Sequence, residues 1–197
     1  MENILLALAA MVSLSAYAIG AVSIIKGKFR PQRMTRFLLL LISLLFVGTL
    51  LAQGDTNAIW LALAAFMGTL SIFILSIKRG IGGSSKLDIM IFLMVIVSLV
   101  VWYTTKNPVL GLIMSIVTDF IAFSPTLIKA WVLPETEEWR FYVMDVISSF
   151  LIILSLSTIT LGNAIFPIYI FLINLLVTSV ILIRGRNKLK LVKMIKR

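Results

Sequence analysis

The sequence predicts an all-α integral membrane protein, with seven transmembrane helices in a three-plus-one-plus-three bundle of parallel repeats. Three observations predict it. Seven apolar runs are each long enough to cross a bilayer, the loops between them alternate between basic and nearly bare, and landmarks of the first half return in the second.

The length argument is geometric. The hydrocarbon core is about 30 Å thick and a helix rises about 1.5 Å per residue, so roughly 20 apolar residues make one span. Spans are expected near 4–25, 37–52, 58–77, 87–104, 108–131, 140–161 and 164–183. The first has no basic leader and is too long for a signal-peptide core, so it reads as a retained helix. Trp60 and Trp102 fall near the outer ends of the third and fourth spans, and Trp131 and Trp139 near the inner ends of the fifth and sixth. That is an aromatic-belt placement rather than a central cage. Hydrophobic residues make up 60% of the chain and charged residues only 13%, a balance foreign to soluble domains. With 197 residues and short loops, the chain is one membrane domain, and its function resides within the bilayer or at the two faces.

The net charge of +10 suggests a nucleic-acid partner until its distribution is read. The first loop holds Lys26, Lys28, Arg30, Arg33 and Arg36, the third Lys78, Arg79 and Lys86, and the fifth Lys129 and Arg140. The tail, 184–197, adds seven more, and only Lys106 of the 18 basic residues falls on the other side. By the positive-inside rule the amino terminus is expected outside and the carboxy terminus in the cytoplasm, in a plasma membrane, with the bilayer as partner and no nucleic acid. From Lys188 onward, apolar residues alternate with the basic ones, which suits either an amphipathic turn on anionic headgroups or a plain topology anchor. Glu135, Glu137 and Glu138 read as acidic residues favouring the start of the sixth helix. Cysteine and histidine are absent, which excludes disulfides, thiol nucleophiles and imidazole bases, and no metal or cofactor is expected.

Residues 56–78 and 162–184 align without gaps, both opening on Asn-Ala-Ile and ending at a basic residue. Before each copy come a basic loop, a proline (Pro31, Pro134), an Arg-Phe pair (Arg36-Phe37, Arg140-Phe141) and an apolar helix. The chain therefore divides into a first repeat over 4–77, a linker helix over 87–104 and a second repeat over 108–183. An odd linker places both triplets in the same orientation, and parallel repeats of this kind recur among secondary transporters, with the substrate site near the midplane.

On this topology, on the repeat and on the segment Phe123-Ser124-Pro125-Thr126-Leu127-Ile128-Lys129, the chain resembles the SWEET and PQ-loop family of small seven-helix transporters. The family carries a helix-kinking proline at the place of Pro125, often followed by glutamine, where Thr126 stands here. SWEET sugar carriers carry asparagines at mid-depth of the third and seventh helices, matched here by Asn174 in the seventh and replaced by Gly68 in the third. The resemblance implies a carrier of a small polar solute such as a sugar or vitamin.

Ionisable residues inside a bilayer are costly and usually face a bundle interior or a watery cavity. Asp119 lies about 16 Å into the fifth helix by helical rise, and Asp145 about one and a half turns from the basic end of the sixth. On an unbroken helix Ser115, Asp119, Ala122, Thr126 and Lys129 share one face, a stripe suited to a pathway lining or to a helix-packing seam. The expected substrate contacts are Asp119, Thr126, Asn174 and Ser115, with Asn174 serving equally well as interhelical glue. A Lys129–Asp145 ion pair is expected at the cytoplasmic gate, and Pro125 and Pro167 are hinge candidates.

The leading function is solute transport by alternating access. The competing class is a seven-helix sensor or pore-forming effector. An intramembrane aspartyl protease is set aside, because neither aspartate has the Gly-x-Gly-Asp setting and their depths differ by roughly 9 Å. Oligomeric state is open, since two triplets suffice to enclose a site.

Overall fold

The computed structural model describes residues 2–83 and 85–195, with side chains from Asn3 to Arg186. Those residues form eight helices and a short 3-10 turn: α1 (Glu2–Ile25), α2 (Arg33–Gln53), α3 (Ala58–Arg79), α4 (Lys86–Thr105), α5 (Pro108–Ala122), α6 (Ser124–Val132), the turn Pro134–Thr136, α7 (Trp139–Ser155) and α8 (Leu161–Ile195). Six membrane-length apolar helices result, with α5 and α6 together making the one over Pro108–Val132. Helix α7 has 17 residues.

Local chemistry sets the helix ends. Gly54, at φ 68°, closes α2 in the left-handed conformation that glycine adopts without a steric penalty. Asp55 then accepts from the amides of Asn57 (2.9 Å) and Ala58 (2.6 Å), satisfying donors at the start of α3. Ser85 and Asp88 form a reciprocal capping box at the start of α4. Asn107 accepts from Val109 and Leu110 to start α5, with Pro108 in the first turn, where its missing N–H costs nothing.

Two expected spans come out differently. The fifth is broken at Phe123, because Pro125 cannot donate to the carbonyl four residues back. The sixth ends at Ser155 rather than near 161. In the following hydroxyl-rich run, the Asn163 side chain accepts from the Thr160 amide (2.9 Å) and donates to the Thr158 carbonyl (2.8 Å), offering the backbone an alternative to helix.

Helix α1 packs on α3 and α7, α2 packs on α3 and α5, and α8 packs on α7 and on the α5–α6 pair. Helix α4 leans on α5 and α2 from outside and turns most of its surface outward. Small and hydroxyl residues bring the backbones close, as membrane helices require in the absence of a hydrophobic drive between them. Ser148 of α7 donates to the Ala9 carbonyl of α1 (2.7 Å), and Ser98 of α4 meets Thr118 of α5 at 3.1 Å. Trp102 is wedged between α2 and α5, where a Cβ on Gly48 or Gly111 would lie 2.9 Å from its ring. It is therefore a packing residue and not part of a belt; Trp60, Trp131 and Trp139 are exposed.

The alternate loops converge on two faces. On one, the Arg30 amide donates to the Thr136 carbonyl (3.2 Å), Arg33 donates to the Gly80 carbonyl (3.0 Å) and Arg79 donates to the Ile25 carbonyl, so the basic loops are tied together. On the other, the Asn57 side chain donates to the Ser155 carbonyl (3.3 Å). Helix α8 continues through the basic tail to Ile195. The amphipathic placement expected for side chains from Lys188 on lies outside the described residues.

Candidate functional site

All the helices except α4 and α6 send side chains to one central cavity of about 60 Å³, between the α1–α3 group and the group formed by α5, α7 and α8. That volume accommodates roughly four to six water-sized groups. At mid-depth its wall carries Asp119, Asp145, Asn174 and Thr69; toward the basic face it carries Arg36 and Phe141. Phe46 of α2 and Phe166 of α8 line the opposite end with ring centroids 4.6 Å apart.

Asp119 accepts a 2.5 Å hydrogen bond from the Tyr169 hydroxyl, and Asp145 accepts a longer one, 3.4 Å, from Ser13. Among the described residues neither carboxylate makes another hydrogen bond, so each keeps an oxygen without a partner there. Asn174 donates to the Ile170 carbonyl in its own helix (2.9 Å), which leaves its side-chain oxygen unengaged. Asp119 and Asn174, both expected at a binding site, thus stand on the same cavity.

Ser115 and Thr126 do not line it. Thr126 lies beyond the break at Phe123, on α6, whereas Ser115 stands on the same unbroken α5 as Asp119, one turn nearer its start, and the cavity wall takes only Asp119 from that helix. Ser115 is fully buried and donates to the Gly111 carbonyl (2.9 Å), while Thr126 is buried on α6. Pro125 stands at the break, whereas α8 runs through Pro167 without interruption.

The Lys129–Asp145 pair is not formed. Lys129 meets Glu137 at 2.8 Å and also donates to the Arg30 carbonyl. The 3-10 turn at Pro134–Thr136 folds Glu137 back under α6, a closer partner in sequence than a carboxylate on α7. The other oxygen of Glu137 accepts from Tyr142 (2.8 Å). Glu138 crosses to α1, accepting from Ser23 (2.7 Å). Glu137 and Glu138 therefore work as tertiary links rather than as first-turn charges of α7. Phe29, fully buried, lies beside Phe141 with their ring centroids 6.1 Å apart, and the Lys129 ammonium stands 5.7 Å from its ring.

Sequence reasoning missed Arg36 as a site residue. It lies one turn inside α2, is 5% exposed, and holds its guanidinium 5.4 Å from the Phe29 ring and 5.9 Å from the Phe141 ring. Its charge acts on Asp119 and Asp145, yet neither lies at ion-pair distance from it. The one sequence signal was the recurring Arg-Phe pair, Arg36-Phe37 and Arg140-Phe141.

No family model, curated protein or solved structure matches this chain. Function must therefore be argued from the cavity. The cavity brings ionisable and amide groups from both groups of helices to one wall between them.

Proposed function

We propose that this chain is a membrane transporter of a small polar solute, working by alternating access between two three-helix repeats. The first repeat is α1–α3, the second is α5–α6 with α7 and α8, and α4 is the linker. In this reading seven helices span the membrane, α7 among them, the basic face is cytoplasmic and the amino terminus is outside.

The observation that carries the reading is the central cavity, with polar walls drawn from both groups of helices and none from α4. The packing supports it. Every relation in the first group has a counterpart in the second: α1 on α3 corresponds to α5–α6 on α8, α2 on α3 to α7 on α8, and α1 on α7 to α5–α6 on α2. Such correspondence supports two repeats related by an axis along the membrane normal, the plan by which parallel repeats enclose a midplane site. The two ends of the cavity offer gates, Phe46 and Phe166 on one side, and Phe29 with the Lys129–Glu137 pair on the other. This arrangement also supports the resemblance to SWEET and PQ-loop carriers.

The chain has no cysteine, so one introduced thiol reports alone. Ser43 is buried on the cavity wall. In Ser43→Cys, a membrane-impermeant maleimide is expected to react slowly from either side of oriented vesicles, with addition from one side blocking the other. A sensor would leave the thiol unreactive, and a pore would label rapidly from both sides at once.

A further inference from the structure

We infer that the central cavity takes a compact zwitterion of amino-acid type, its carboxylate on Arg36 and its ammonium on the aspartates at mid-depth. This deepens the transport reading and rests on its choice of the cavity as the binding site.

Arg36 is the starting point. A buried guanidinium retains its charge and has five donors to satisfy. Here the Phe29 and Phe141 rings stand against its guanidinium, and the nearby Tyr142 hydroxyl gives its own proton to Glu137. Among the described residues no carboxylate stands at ion-pair distance from it. A charge so placed is expensive unless something else completes it. The planar fork of a guanidinium suits a carboxylate bound through both oxygens.

The middle of the same cavity has the opposite need. Asp119 and Asp145 each keep one oxygen without a protein donor, and the Asn174 side-chain oxygen adds a third acceptor. Among the described residues no Lys or Arg pairs with either carboxylate. An ammonium brings three donors and a positive charge. A neutral polyol would leave Arg36 and the aspartates uncompensated, a simple amine would leave Arg36 unmatched, and a simple carboxylate would leave the aspartates unmatched. Only a molecule charged oppositely at its two ends completes the wall. The volume of about 60 Å³ restricts it to few heavy atoms.

The test is a matched set of probes on the purified full chain in detergent, read as thermal stabilisation. Glycine, L-alanine, L-serine, L-proline and β-alanine supply both charges, isopropylamine only the ammonium, propionate only the carboxylate, and glycerol and glucose neither. At least one zwitterion is expected to stabilise the parent, with isopropylamine, propionate and the polyols at least tenfold weaker. Arg36→Gln should remove the advantage of the zwitterion over isopropylamine. Arg36→Lys retains the charge without the fork, and serves if the glutamine variant does not fold; it should show an intermediate loss. Asp119→Asn should remove the advantage over propionate.

Stabilisation by glucose or glycerol that survives Arg36→Gln but not Asp119→Asn would overturn the zwitterion and leave the carrier reading standing. Stabilisation by none of the probes would also overturn it. A zwitterion that binds with this pattern but shows no counterflow in proteoliposomes would uphold the inference and sink the transport reading.

Discussion

The ring of Tyr17 on α1 lies so close to the α3 backbone at Gly68 that a Cβ there would sit 2.0 Å from Tyr17 Cγ. The space beside Gly68 is thus filled from the neighbouring helix, and among the residues lining the cavity Asn174 on α8 carries the side-chain amide. Gly68→Ala is expected to force α1 and α3 apart, at a cost of about 1–3 kcal/mol typical of overpacking. The melting temperature in detergent should fall. Adding Tyr17→Ala should recover part of the loss, and equal melting of the single and double variants would refute the contact.

Lys129 and Glu137 are both almost fully buried, at 10% and 2% side-chain exposure. Removing one partner of such a pair leaves an uncompensated charge, which typically costs about 3–5 kcal/mol. Lys129→Gln and Glu137→Gln should each lower the melting temperature markedly. The double substitution should be milder than the sum of the two, because neither charge is then left alone. Strict additivity in this cycle would show that the pair is not coupled.

The short bond from Tyr169 to Asp119 ties α8 to α5 on the cavity wall. A hydrogen bond to a charged acceptor contributes about 1.5–3 kcal/mol, so Tyr169→Phe should destabilise by an amount in that range. Asp119→Asn, which still accepts a hydrogen bond, should cost less. A thermal ranking of the two variants decides the point, and a larger loss in Asp119→Asn would contradict it.

What the sequence made legible was whatever depends on length and on chemistry local to one helix. The apolar runs, the sorting of charge onto one set of loops, and the depth of Asp119 and Asn174 all follow from counting along a helix axis. What it concealed depends on azimuth and on where a helix begins. Arg36 sits among loop arginines in the sequence, but α2 starts at Arg33, earlier than the expected 37, and the extra turn carries Arg36 inside the bundle. Thr126 is grouped with Asp119 by a periodicity that Pro125 interrupts, while Ser115, on the same helix as Asp119, falls one turn outside the cavity wall. Lys129 is expected to reach Asp145 on the next span, and the 3-10 turn brings Glu137 to it instead.

The break at Phe123 gives the last prediction. Pro125 removes a donor from the span where α5 gives way to α6, whereas Pro167 lies within an unbroken α8. Pro125→Ala restores the missing amide and allows one continuous helix, which should leave the melting temperature level or raise it. The same change should slow any exchange of cavity access between the faces, because rotation about Phe123 is then resisted by a full hydrogen-bond ladder. Measured through maleimide labelling at Ser43→Cys, the Pro125→Ala rate is expected to fall severalfold, with Pro167→Ala close to the parent. Equal rates in the two proline variants would remove Phe123 as the hinge.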